Sequence, residues 1–189
     1  MLIGSALGAL AGYYGGWFDN VISRLMDVLL SFPTLPLVMV IGAFIKVTPV
    51  GLVLLMSSVG WMGVGRLVRA QTLSLREREY VQAARCVGAS NIRIIFRHVL
   101  PNATAPVVVE ATLGVANAIL AESALSFLGF GVDPSTPTWG NMLQNAQPYL
   151  VQAPWLSIFP GLMITLIVTS FNFVGDGIRE AFDPRLKGK

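Results

Sequence analysis

Between Asp133 and Asp176 the chain carries no charged residue, and this interval closes on the apolar run "WLSIFPGLMITLIVTSFNFVG". Two further intervals behave the same way. Eighteen residues separate Asp27 from Lys46, and nineteen separate Lys46 from Arg66. A helix needs about 20 apolar residues to cross roughly 30 Å of hydrocarbon. Only 12% of the residues are charged, about half the share usual in a soluble domain, and the mean hydropathy is +0.67. These patterns specify an integral membrane protein. With no water in the bilayer core, each spanning segment must pair its own backbone groups, so the expected fold is all-α.

Five hydrophobic segments are expected, at about 1–17, 22–45, 50–73, 103–127 and 155–176, within a single membrane domain over 1–189. The chain opens on an apolar stretch with no basic region before it, which reads as a membrane helix cut short rather than a secretory signal. The turn "GGWFDN" joins the first two segments and "KVTP" the next two. A polar block at about 74–101 and a loop rich in Pro, Gly, Asn and Gln at about 128–154 make the other connections. The single Cys86 rules out an intrachain disulfide.

Basic residues stay on the cytoplasmic side of membrane proteins. Placing the 74–101 block inside gathers Arg76, Arg78, Arg85, Arg93 and Arg97 there. Arg24, Arg66 and Arg69 then lie at inner helix ends, and Arg179, Arg185, Lys187 and Lys189 also fall inside. Only Lys46 is left outside, and the 128–154 loop has no Lys or Arg. The isoelectric point near 9.4 therefore follows topology and does not point to nucleic acid.

Gly4, Gly8, Gly12 and Gly16 recur every four residues, a row of small residues that lets helix backbones approach closely in a membrane. Packing within one subunit is favoured over a dimer seam. Pro33, Pro36 and Pro160 are expected to kink or open their helices. The methionines read as lipid-facing or core filler.

The stretch "SLREREYVQAARCVG" is rich in helix formers and stops at Gly88, a residue suited to a left-handed helix end. Ser90 or Asn91 can cap a second short helix. In it Ile92, Ile95, Phe96 and Val99 form one apolar stripe, with Arg93 and Arg97 away from it. Pro101 should end that helix and start another. The result is two short helices at an elbow. One reading lays them on anionic lipid. The small pair Ala83-Ala84 suits the other, a helix set into a groove of another protein.

"QAARCVG", nine residues, then "HVLP" resembles the EAA loop of the permease subunits of bacterial ABC importers. Ala83, Ala84, Gly88, Leu100 and Pro101 match that motif at its spacing, while Gln82 replaces its Glu and His98 an aliphatic residue. "AGYYGGWFDNVISRLMDVLLSFPTLPL", "AESALSFLGFGVDPSTPTWGNML" and "FNFVGDGIREAFDPRL" are similar to the second permease subunit of the dipeptide/oligopeptide/nickel branch. The resemblance covers nearly the whole chain. Such subunits usually have a cytoplasmic tail, a membrane helix and an outer segment before this point, so the chain reads as the core of a permease.

The resemblance implies a type I importer permease fold whose EAA helix docks on a separate ATPase, with Tyr80, Gln82, Ala83, Ala84, Gly88, Ala89, His98, Leu100 and Pro101 in the coupling loop. It also implies two ATPases that bind ATP and Mg, a second related permease, and an extracytoplasmic substrate-binding protein meeting the outer loop near Trp139 and Tyr149. The chain itself lacks the G-x-x-x-x-G-K-[ST] phosphate loop and is expected to bind no cofactor. Charged groups within membrane segments are functional candidates. Glu122, with Ser123 and Asn117, is the candidate for the translocation path or gate, against a packing role. Glu110, Asp176 and Asn172 read as structural. Peptide and nickel cargo stay open, as does a fragment that does not transport. A membrane-embedded enzyme is disfavoured, because the one His and one Cys both lie in the polar block.

Overall fold

The computed structural model describes residues 1–44 and 48–182. Lys46, Arg185, Lys187 and Lys189, which entered the topology argument, lie outside the described residues.

The described residues are helical wherever they are regular. The first helix, α1 (Leu2–Tyr14), stops because Gly15 takes φ +65°, donating its N–H to the Ala11 carbonyl. The next helix begins at once, so the expected "GGWFDN" turn shrinks to this glycine. The expected second segment is a broken pair, α2 (Gly16–Leu30) and α3 (Thr34–Phe44). Pro33 lies at the break. Pro36 sits in the first turn of α3, where a missing N–H costs no helical bond.

Helix α4 (Pro49–Leu75) starts on a threonine cap. The Thr48 hydroxyl accepts the Gly51 N–H at 3.0 Å, and Pro49 takes the first helical position. Short helices α5 (Glu79–Cys86) and α6 (Asn91–Ile94) follow, then a π turn (Ile95–Val99) that runs directly into α7 (Leu100–Phe127). Helix α8 (Trp139–Ala146), a 3-10 turn at Gln147–Tyr149 and α9 (Trp155–Phe182) complete the order. Pro160 lies inside α9, whose helical assignment is unbroken across it, and Pro106 lies inside α7. Among the described residues three helical stretches, α4, α6–α7 and α9, are long and apolar enough to cross a membrane. The broken α2–α3 pair can make a fourth span, and α1 is apolar but shorter.

The chain divides into two compact units. The first holds Met1–Ser31, Val59–Ala111 and a piece beginning at Arg179. Its core joins Ala9 and Tyr13 of α1, Val64 and Val68 of α4, Val81 of α5, and Ile94, Ile95 and Val99 from α6 and the π turn. Here the glycine row finds its use. A Cβ on Gly4 or Gly8 would collide with the carbonyl oxygen of Trp61 or Gly65, and one on Gly12 would stand 2.7 Å from that of Arg69. Helix α1 thus lies backbone-to-backbone on α4, while Gly16 has open space and takes no part.

Two ion pairs fasten α2 to the same helix. Arg69 grips Asp19 with both Nε and Nη2, the latter at 2.7 Å from Oδ2, and Ser23 also donates to Asp19. Arg66 meets Asp27 at 2.7 Å on a more exposed surface.

The second unit holds Phe32–Ser58 and Thr112–Ile178. In it Gly140 of α8 packs against Ser123 and Ser126 of α7, so closely that a Cβ would fall within 3 Å of both. Gly175 of α9 packs in the same manner against Leu113.

Candidate functional site

The polar block folds as an elbow around Gly88, whose φ of +81° suits a residue without a side chain. Gly88 N–H reaches the Arg85 carbonyl and Ala89 N–H the Ala84 carbonyl, each at 3.0 Å. This pair of bonds closes α5 in the Schellman manner. Ser90 then caps α6, accepting the Arg93 N–H at 3.4 Å. Of the two caps the sequence allowed, Ser90 is used and Asn91 is freed.

The elbow's apolar faces differ from the expected stripe. Ile94, Ile95 and Val99 point into the core, whereas Ile92 is 65% and Phe96 68% exposed. The π turn explains this. Its bonds run from residue i to i−5, as when Leu100 N–H reaches the Ile95 carbonyl, so Ile94 and Val99 fall on one side. The same turn precedes Pro101, which has no N–H to offer the Arg97 carbonyl. Pro101 therefore does not begin a separate helix as expected. It lies in the first turn of α7, and the helix runs on from Asn91 to Phe127.

The candidate coupling residues divide by exposure. Tyr80 and Ala83 are exposed, and Val87, not singled out from the sequence, is 84% exposed. Ala84, Ala89 and Leu100 are half-buried against the core, so the small size of Ala84 serves packing within the chain. The Tyr80 ring lies 6.2 Å from that of His98, itself half-buried. Pro101 is exposed. Gln82 donates from Nε2 to the Arg76 carbonyl at 3.1 Å, serving the end of α4. A carboxylate could not make that bond, which gives the Glu-to-Gln departure a local role. A hollow of about 690 Å³ beside α5 is lined by Leu75, Glu77, Arg78, Glu79, Tyr80 and Asn102.

Glu122 lies near the other end of α7. It borders a cavity of about 670 Å³ walled by apolar side chains including Leu52, Met56, Ile119, Val132, Trp139 and Met142. Glu122 is the one charged residue among those lining it. Ser126 donates to Glu122 Oε1 at 2.8 Å, leaving the second carboxylate oxygen without a partner in that bond. The other two path candidates do not line the cavity. Ser123 is buried beneath α8, and Asn117 is exposed elsewhere on α7. The loop after α7 is ordered by Asn141, which the sequence reading passed over. Only 2% exposed, it donates to the carbonyls of Asp133 at 3.0 Å and Thr136 at 2.8 Å. Among the described residues no group of three or more His, Cys, Asp or Glu side chains is arranged to hold a metal ion.

Residues 4–188 match the family profile described as "Binding-protein-dependent transport system inner membrane component". The chain is 44% identical over 187 residues to the dipeptide transport system permease protein DppC of Alkalihalophilus pseudofirmus, covering 99% of this chain and 62% of that one. It is 42% identical over 187 residues to the glutathione transport system permease protein GsiD of Pectobacterium atrosepticum, with 99% and 62% covered. The oligopeptide transport system permease protein OppC of Mycobacterium tuberculosis is 41% identical over 184 residues, with 96% and 63% covered. The chain thus spans a little under two-thirds of the length of these relatives.

Proposed function

Because this chain belongs to the binding-protein-dependent transport system inner membrane components, we propose that it acts as a permease subunit of an ATP-driven importer of di- or oligopeptides. The relatives named for dipeptide, glutathione and oligopeptide transport support peptide cargo over nickel. Its partners are two ATPase subunits, a second related permease, an extracytoplasmic binding protein and the lipid of a bacterial or archaeal cell membrane. ATP and Mg belong to the ATPases. The chain has no phosphate loop and performs no hydrolysis. The elbow and the C-terminus face the cytoplasm, and the loop after α7 faces out, in keeping with the distribution of arginines.

One observation carries this reading. The elbow exposes Tyr80, Ala83, Val87, Ile92 and Phe96 while its opposite side is locked into the core of a membrane-spanning unit. Exposed apolar surface on a rigid support is what a docking helix needs, since packed interfaces switch between discrete arrangements rather than deform softly. In this mechanism, closure of the ATPases on ATP displaces the elbow. The π turn hands that displacement to α7 without a break in the helix. Glu122, in its cavity, then supplies a carboxylate on the translocation path.

The test is affinity purification in mild detergent from the native host, comparing the natural chain with Ala83→Arg. Ala83 is the suitable position because it is exposed, whereas an arginine at Ala84 would also disturb the core. The expected result is an ATPase subunit recovered with the natural chain and lost from the variant, with both inserted equally in the membrane. Equal recovery from both would exclude the elbow as the docking surface.

A further inference from the structure

Tyr13, at the last turn of α1, is 5% exposed and has no role assigned from the sequence. Its hydroxyl donates to Asn91 Oδ1 at 2.9 Å. The Arg85 guanidinium lies over its ring, 5.5 Å from the centroid, an arrangement in which the ring's negative face attracts the cation. Arg85 and Asn91 stand three residues before and three residues after Gly88, one on each arm of the elbow. A single α1 side chain therefore holds both arms.

The anchor behind that side chain is stiff. Helix α1 lies on the α4 backbone along Gly4, Gly8 and Gly12, and Arg76 Nη1 closes the end of the seam by donating to the Gly12 carbonyl at 3.1 Å. Without the clasp, the elbow keeps its packing through Val81, Ile94, Ile95 and Val99, but its bend is held only by two backbone bonds around a glycine, the residue with the greatest backbone freedom. With it, α5, α6, α1 and α4 move together.

We propose that Tyr13 is a positioning residue for energy coupling. By joining Arg85 and Asn91 across Gly88, it fixes the elbow angle so that force applied at α5 reaches α1 and α4 instead of bending the elbow. This inference rests on the docking role proposed above for the elbow.

The test places one nitroxide on the native Cys86, which is exposed and is the sole cysteine, and a second on Ala70→Cys, an exposed position of α4. Pulsed electron resonance then reads their distance distribution, in lipid nanodiscs for the chain alone and with its ATPase partners, with and without ATP. With Tyr13 present, a single narrow distribution is expected that ATP does not broaden. Tyr13→Phe keeps the ring and its cation but loses the hydroxyl, and should broaden or split the distribution, most of all with ATP. Asn91→Ala should match it and add nothing in combination, while Asn91→Asp, which keeps the acceptor, should stay narrow.

A Tyr13→Phe distribution as narrow as that of the natural residue would overturn the proposal. So would additive broadening by Tyr13→Phe and Asn91→Ala. A failure of the docking role would show separately, as no ATPase recovered with the natural chain, and would remove the coupling role while leaving the nanodisc measurement to report on the clasp.

Discussion

Asp19 and Asp27 both face arginines of α4, yet their pairs differ in kind. Asp19 is largely buried, held bidentately by Arg69 and further bonded by Ser23. Asp27 and Arg66 are each about half exposed. Removing one partner of a buried pair strands the other charge and costs about 3 kcal/mol or more, whereas exposed pairs are worth about 1 kcal/mol or less. Asp19→Ala should therefore markedly lower the aggregation temperature of the detergent-solubilised protein, and Asp27→Ala should leave it nearly unchanged. A thermal scan comparing the two checks this, and equal losses would contradict it. These pairings were not legible in the sequence. The positive-inside pattern placed Arg66 and Arg69 at an inner helix end, but their acids lie on another helix, and nothing in a single chain's spacing links residues 50 positions apart. Tyr13 escaped for the same reason. Gly88 was legible, because a glycine after a run of helix formers is a local signal.

At the scale of elements, the apolar segments could be read because membrane helices satisfy their own backbones and so announce themselves by length and hydropathy. The glycine row was legible as a packing seam, and its partner was not. That partner is the backbone of α4 at Trp61, Gly65 and Arg69. Gly8→Leu should force α1 off α4, an overpacking cost of about 1–3 kcal/mol. Gly60→Ala, on α4 with nothing within 4 Å, should be neutral or stabilising by up to about 1 kcal/mol. Protease resistance of the membrane-inserted variants separates them. Similar sensitivity in both would mean that the seam does not hold α1. The π turn could not be foreseen. A stripe of Ile92, Ile95, Phe96 and Val99 fits an α-helix, and only the i−5 bonding ahead of Pro101 turns Ile94 inward and leaves Ile92 and Phe96 exposed. The break between α2 and α3 was signalled by Pro33.

For the whole molecule, two activities are assigned to different stretches of the α6–α7 helix. The elbow at its start is the proposed docking surface, and Glu122 toward its end borders a cavity with no other charge in its lining. Glu122→Gln preserves shape and can still accept from Ser126. It is expected to lower peptide uptake by reconstituted complexes several-fold without changing membrane abundance or ATPase recovery. Unchanged uptake would assign Glu122 to packing. The sequence pointed to Glu122 because a charge in an apolar run is costly. Ser123 and Asn117 do not share Glu122's cavity, since α8 covers one and the other lies off it.

The central claim is that the elbow docks an ATPase rather than lying on lipid, and the chain carries its own probe. Cys86 is the only cysteine and is exposed on α5. A thiol-linked photo-crosslinker on Cys86, activated in native membranes, should yield an adduct containing an ATP-hydrolysing subunit, and Ala83→Arg should abolish it. Adducts with lipid alone, unchanged by Ala83→Arg, would contradict the account.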